Sequence, residues 1–265
     1  MNNSLKAIVS INGKIRCETG LHIGGSGGGF EIGGVENQVI RNPRDGYPYI
    51  PGSSLKGKMR SLMEWAEGKV TSNGDVYYSK NDVDDVISRI FGAPAEANRL
   101  AGPTRIIVRD ALPDDKTRKL LHKLEEEQGL PKVEVKTEVN INRITSKPLS
   151  GPRQMERVPE GSCFDFEILY AIYDVETLNV HDIDLLDRVF TAMRLVEDSF
   201  LGGSGSRGSG QVKFFLGKPL VRTLQDYKSG APRENAGAQD SNLEQLIALT
   251  DFTSAMIDQL KGQLR

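Results

Sequence analysis

Cysteine is nearly missing from this chain: Cys17 and Cys163 are the only two among 265 residues. Two such residues build neither a disulfide framework nor a cysteine-ligated metal centre, and a reducing, cytoplasmic compartment is the expectation. No apolar run approaches the roughly 20 residues that cross a bilayer, and the N-terminus MNNSLK lacks the apolar core of a signal peptide, so no membrane partner is expected. Histidine is also scarce, with three in all, which leaves little material for His-centred acid–base chemistry. Excess charge is lacking too. A net charge of −2 argues against a uniformly basic nucleic-acid binder. What remains is an ordinary globular composition, long enough for one large domain or two small ones.

Glycine is what the chain has in quantity. Between positions 24 and 34 seven of eleven residues are glycine, and a second run, LGGSGSRGSGQ, occupies 201–211. Glycine lets a backbone approach a ligand closely and take positive φ without strain. The basic charge lies beside it: residues 1–60 hold eight Lys or Arg against four Asp or Glu, and 202–222 hold four basic residues and no acidic one. Residues 160–198 reverse the balance, with ten acidic residues and two basic. A chain that segregates its cations onto its glycine-rich parts suits a polyanion lying along that surface. The alternative is a pair of solvated loops.

Two motif matches fail on context. GSSLKGK at 52–58 fits the phosphate-loop pattern, but Met59 stands where the magnesium-binding hydroxyl belongs. Gly203, Gly205 and Gly208 spell GxGxxG, yet a helical pattern precedes them and a strand pattern follows, the reverse of a dinucleotide-binding turn.

Along the chain, period-two alternation predicts a strand over 6–16 and short strand pieces at 39–40 and 47–50 around an Asn-Pro-Arg-Asp-Gly turn. Ser53 is expected to cap a helix over 54–67, with Leu55, Met59, Leu62, Met63 and Ala66 on one face. Lys56, Lys58 and Arg60 then stand near its first turns, where a helix N-terminus and cations together attract phosphate. Helical spacing recurs over 82–91, 104–112 reads as a buried strand, and 115–128 as an exposed, charge-rich helix. Residues 132–158 are basic and carry no aromatic residue, which predicts a hairpin that projects rather than packs. The clearest strand, 162–173, sets Phe164, Phe166 and Ile168 against Cys163, Asp165 and Glu167. An amphipathic helix over 182–200, the second glycine run and a strand over 211–216 follow; 223–239 reads as a linker and 242–264 as a terminal helix. This order predicts an α+β fold: a ferredoxin-like (RRM-like) βαββαβ core with insertions and a protruding β-hairpin, spanning 1–220, with a linker and C-terminal helix over 221–265.

The strings GLHIGGSG, IPGSSLKGKMR, the segment from TEVNINRIT to PRQMERV, and LGGSGSRGSG ahead of a strand closely resemble those of the backbone subunits of type III-A CRISPR effector complexes, within the RAMP superfamily of CRISPR RNA-binding proteins. The resemblance covers about 6–220. It implies a subunit of antiviral defence that binds a CRISPR RNA guide, stacks head to tail with copies of itself beside other subunits of the complex, and kinks the guide–target duplex with its hairpin as a thumb. The residues implied to contact RNA are His22, Gly24, Gly25, Ser26, Ser53, Ser54, Lys56, Lys58, Arg60, Arg143, Arg153, Gln154, Arg157, Gly203, Gly205, Arg207 and Gly208. Ile141, Ile144 and Met155 form the expected apolar wedge, since a kinked duplex needs side chains in place of lost stacking.

The resemblance also implies cleavage of single-stranded target RNA, supported by a divalent metal such as Mg²⁺ whose ligands the sequence does not name, and by an acidic residue in the loop over 27–38. The family pattern I-G-x-hydrophobic-Asp falls on Ile32-Gly33-Gly34-Val35-Glu36, so Glu36 replaces the Asp. The extra methylene moves the carboxylate by roughly an ångström, and near-attack geometry is demanding. Three readings stay open: a guide-binding subunit that also cuts, a binding-only subunit with an impaired site, and a stand-alone guide-processing nuclease, for which only His22 could serve as the base.

Overall fold

The computed structural model describes residues 3–25, 37–94, 102–129, 132–176, 178–231 and 243–264. In chain order its strands and helices are β1 (Ser4–Cys17), α1 (Gly52–Ala66), α2 (Val86–Phe91), β2 (Ile106–Val108), β3 (Leu112–Pro113), α3 (Asp115–Gln128), β4 (Glu134–Glu138), β5 (Arg153–Arg157), β6 (Cys163–Asp174), α4 (Leu186–Glu197), β7 (Val212–Leu216), β8 (Leu220–Thr223), α5 (Leu224–Lys228), β9 (Ile247–Ala248) and α6 (Ser254–Gly262).

Strand β1 is the axis. It pairs antiparallel with β6 from Ser4↔Asp174 to Arg16↔Cys163, while β7 runs along its second half and β8 along its first. The sheet order β2-β6-β1-β7 is the antiparallel ferredoxin-like arrangement the element order predicts. Alternation explains the pairing. Val9, Ile11, Ile15 and Cys17 of β1 and Phe164, Phe166, Ile168 and Tyr170 of β6 share one core with Leu55, Met59 and Met63 of α1 and Val189, Phe190 and Met193 of α4. Each such side chain contributes about 1.5–3 kcal/mol on burial. The other face of the sheet is polar: Lys14 reaches Asp165 across the strands at 2.7 Å and Asp114 at 3.0 Å, and Asp114 accepts from the Thr117 N–H at the start of α3.

A buried ionic knot ties the helices to the sheet. Arg89 of α2 and Arg105, just before β2, both bond the Asp182 carboxylate, while the Tyr170 hydroxyl donates to the Asp182 carbonyl at 2.7 Å. Both arginines are fully buried. Removing one partner of such a group leaves an uncompensated charge in the core.

The fold departs from expectation in several places, and the strand pieces expected at 39–40 and 47–50 are only isolated bridges. Ser53 does not cap α1. The helix starts at Gly52 after Pro51, and its first N–H donates to Asp110 Oδ1 at 2.8 Å, a cap supplied from beside β2. Residues 104–112 do not form a buried strand but two short edge strands, with Ile107 and Leu112 exposed. The helical span over 182–200 opens as a 3₁₀ turn at Asp182–Leu185 before α4, and that over 82–91 shortens to α2, where Asp85 caps the Ser88 N–H. Finally, β8 and α5 occupy the start of the expected linker, and the terminal helix is broken: β9 pairs β7, and only α6 remains of it. Leu249, Phe252, Ile257 and Leu260 join the main core, so this tail packs into the ferredoxin-like layer rather than trailing from it.

Candidate nucleic-acid interface

The second glycine run is the hub of the surface. Its base is closed by the Leu201 N–H donating to the Gly210 carbonyl at 2.8 Å, and it is stitched to the end of the β1 excursion by Gly203 N–H to His22 O at 2.8 Å and Gly210 N–H to Gly20 O at 3.0 Å. Gly202 sits at φ +76°, and a Cβ there would lie 2.2 Å from the His22 carbonyl oxygen, so the approach requires glycine twice over. A Cβ on Gly205 would fall 2.0 Å from the Phe200 ring. Gly208 and Arg207 are exposed.

The first glycine run begins beside it. Gly24 and Gly25 are exposed and pair with the returning limb, Gly25 N–H to Gln38 O at 3.2 Å and Ile40 N–H to Ile23 O at 2.8 Å. Ser26 and Glu36, two of the residues implied for RNA contact and cleavage, lie outside the described residues. The chain re-enters at Asn37, and there Glu156 of β5 gathers the local contacts. Its N–H donates to Asn37 O at 2.9 Å, its carbonyl accepts from His22 Nδ1 at 2.8 Å, and its buried carboxylate takes the Val39 N–H at 2.9 Å and the Arg41 guanidinium at 2.9 Å. The hairpin is thus bolted to both limbs.

Helix α1 flanks the hub. Lys58 Nζ lies 3.8 Å from the centre of the Phe200 ring, linking α1 to the same side chain that Gly205 presses against. Burial pushes the Lys56 ammonium below its ordinary range, with Arg60 nearby adding repulsion, and burial does the same to Lys58. Among the described residues neither lysine has an acidic partner. Ser53 is exposed and Ser54 half-buried at the first turn. Arg60 is not a free cation. Its Nε donates to Glu64 at 2.8 Å and its Nη2 to the Tyr77 carbonyl, which makes it a brace for the 69–85 loop.

Opposite stands the hairpin. β4 and β5 pair from Glu134↔Arg157 to Glu138↔Arg153, as the projecting hairpin over 132–158 predicts. Lys136, Glu138, Val139, Asn140, Arg153 and Arg207 line an open cleft of about 470 Å³ between it and the hub. Arg153 and Gln154 are exposed, as is Arg143 in the distal turn. Arg157 turns inward instead, to Glu134 at 2.6 Å and Ser209 at 3.5 Å, pinning the hairpin base. The expected wedge divides the same way. Ile141 and Ile144 are 50% and 93% exposed, whereas Met155 is 8% exposed with its sulfur 3.6 Å from the Ser204 hydroxyl. A strand alternates faces, so Met155 points at the hub where Gln154 points away.

Gly24 and Gly25, the second glycine run, the first turns of α1 and one side of the hairpin therefore lie side by side among the described residues. Residues that sequence reasoning missed include Gly57, exposed between Lys56 and Lys58 with nothing within 4 Å of an added Cβ, and Phe200, Lys136, Glu138 and Glu156. Gly57 had a signal, a glycine inside a helical pattern; the others had none beyond their type.

The family model of the RAMP superfamily matches residues 14–213. The chain belongs to the RAMP superfamily. Among RAMP relatives it is 43% identical over 242 residues to the "CRISPR system Cms endoribonuclease Csm3" of Methanothermobacter thermautotrophicus, covering 87% of this chain and 93% of that one. It is 40% identical to the protein of the same name from Streptococcus thermophilus, over 78% of this chain and 87% of that one. Among solved RAMP structures, Methanopyrus kandleri Csm3 shares the fold, with a TM-score of 0.63 at 24% identity over 98% of both chains. A chain of the Csm3–Csm4 subcomplex of the type III-A CRISPR–Cas interference complex gives 0.54 at 27% identity, over 98% of this chain and 96% of that one. The resemblance to type III-A backbone subunits is borne out. The RAMP match ends within β7, so β8, β9 and α6 lie beyond it.

Among the described residues no three His, Cys, Asp or Glu side chains gather to hold a metal ion, and no helix is long and apolar enough to cross a membrane.

Proposed function

We propose that this chain is a backbone subunit of a type III CRISPR effector complex that holds a guide RNA along the glycine-rich strip and cleaves target RNA from the loop that leaves at Gly25 and returns at Asn37. The observation that carries the reading is the contiguity of the strip. Exposed backbone at Gly24, Gly25 and Gly208, with Lys56, Lys58, Arg153 and Arg207 around it, offers close approach and positive charge. Relatives that share the chain over most of its length carry the endoribonuclease name, which supports the cutting activity. The projecting, apolar-tipped hairpin supports a wedge role for Ile141 and Ile144, and a contact on the next copy in a head-to-tail stack.

A Mg²⁺ ion would rest on the loop carboxylate Glu36 and on oxygens of the RNA itself, in keeping with an ion that keeps few protein ligands. The test uses complexes reconstituted with guide and labelled target. Chelation with EDTA and the Glu36→Ala substitution should each abolish cutting while leaving guide binding intact, and Glu36→Asp should cut faster than the parent. Cutting that survives Glu36→Ala removes the residue from the mechanism. Parent complexes that bind target and never cut it would make the chain a binding-only subunit with an impaired site.

A further inference from the structure

The cations that line the cleft between the hairpin and the hub are not all free. Glu138 Oε1 lies 2.9 Å from Lys136 Nζ, and its other oxygen accepts from Arg207 Nη1 at 3.1 Å. Lys136 Nζ also reaches the Arg207 carbonyl at 3.4 Å. One carboxylate therefore sits between two cations, each oxygen facing one of them, which is how a phosphodiester would present its two free oxygens. Lys136 first, and Arg207 after it, hold the Glu138 carboxyl below the usual carboxylate range, so it is ionised wherever RNA binds.

Position gives this pairing its consequence. Glu138↔Arg153 is the last pair of the β4–β5 ladder. On the body side the hairpin is fixed by Arg157 to Glu134 and Ser209, by Met155 against Ser204, and by the Glu156 contacts. Beyond Glu138 the chain over 139–152 is held by its own turn, with Asn142 Oδ1 accepting from the Ile144 and Thr145 N–H groups. The Glu138–Arg207 bridge is thus the outermost tie between hairpin and hub among the described residues.

We propose that Glu138 is a latch that occupies a phosphate position in the RNA-free chain: a guide phosphodiester displaces it from Arg207 and Lys136, and that exchange frees the distal hairpin. The inference deepens the RNA-binding reading and rests on it. Exposed ion pairs are worth little, so one small anion gains almost nothing by the exchange. A polymer anchored along the strip makes the exchange locally, at high effective concentration. The latch then selects for long RNA over mononucleotides and holds the wedge down until a guide is present.

The test is filter binding of oligouridine RNA across a salt series to the full chain and to Glu138→Gln, which keeps the shape and removes the charge. Unlatching should raise affinity about two- to fivefold, the worth of one exposed ion pair. It should also steepen the log–log salt slope by about 0.7 for each phosphate newly met without a carboxylate to displace. Glu138→Asp should behave like the parent, and adding Arg207→Ala should erase the gain. Hydrogen exchange over 139–152 should quicken in Glu138→Gln without RNA, and in the parent when RNA is added. Lower affinity in Glu138→Gln would mean that Glu138 organises Arg207 for RNA, and unchanged exchange would mean that the bridge ties nothing; either overturns the latch and leaves the RNA-binding reading standing. Failure of both proteins to bind RNA overturns that reading, and the latch with it.

Discussion

Replacing Gly57 with alanine should stabilise the protein and weaken RNA binding at once, two effects of opposite sign that no folding defect produces together. Gly57 is the sixth residue of the fifteen-residue α1, exposed, and an added Cβ meets nothing within 4 Å. Its φ is not in the left-handed region, so alanine fits the backbone as it stands. Glycine in a helix interior costs about 0.8–1 kcal/mol relative to alanine. The unfolding free energy should therefore rise by nearly that amount, and Tm by about 2–4 °C for a chain of this size. On the RNA side, the proposed interface brings a sugar–phosphate backbone against this turn of α1, and an added methyl group between Lys56 and Lys58 would stand in its way. A steric misfit of about 1.4 kcal/mol is a tenfold loss of affinity. Urea unfolding followed by filter binding on the same preparation reads both. A stability gain with affinity held within a factor of two would show that RNA does not approach this face of α1. Gly205→Ala is the counter-case: its Cβ would strike the Phe200 ring at 2.0 Å, so it should destabilise by about 1–3 kcal/mol.

Further expectations are simpler. Arg60→Met should lower stability by about 1–3 kcal/mol, because Glu64 and the Tyr77 carbonyl lose a charged donor; a purely RNA-facing arginine would leave urea unfolding unchanged. Ile144→Ser, at a side chain 93% exposed, should leave stability within about 0.5 kcal/mol yet alter the spacing of target cuts, read on sequencing gels. Burial depresses the Lys56 and Lys58 ammonium groups in the free protein, so RNA affinity should fall as pH rises through their lowered values, and binding near those values should take up protons, measurable by calorimetry in two buffers. Burial pushes the Cys163 thiol up to about 11, so thiol-directed alkylation of the native protein should stay slow near neutral pH and accelerate only as pH approaches that value.

The parts of the molecule that declare themselves in sequence are those whose causes are local. The alternation of 162–173 predicts β6 almost to the residue, and the charge-rich periodicity of 115–128 matches α3. The second glycine run marks the hub of the proposed interface because close backbone approach is a property of glycine itself. What stays hidden depends on partners far along the chain. Asp110 caps α1 from 58 positions away, which no reading of Ser53 could supply. Arg60 and Arg157 look like RNA ligands by charge and are spent on Tyr77, Glu64, Glu134 and Ser209. Met155 looks like a wedge by composition and turns inward by strand parity. The tail is legible only as a linker and a terminal helix because its apolar residues are spaced across a 3₁₀ turn, a two-residue strand and a short helix, a pattern with no single period.

That tail has a consequence for how copies of the chain meet. β9 lays Ile247 and Ala248 against Leu216 and Phe215 of β7, while the opposite border of the sheet ends in the three-residue β2 and two-residue β3. A long bare strand border is a rail on which any other chain can add a further strand, at any offset. Here β9 covers β7 at Phe215 and Leu216, and the opposite border is cut into pieces too short to specify a register. Copies stacked on a guide, as proposed above, would be left with side-chain surfaces as their means of contact, and those have one fitting arrangement instead of many. A chain stopped at residue 231 would regain a free rail, and its preparations should drift from discrete stacks towards sheet-fused aggregates.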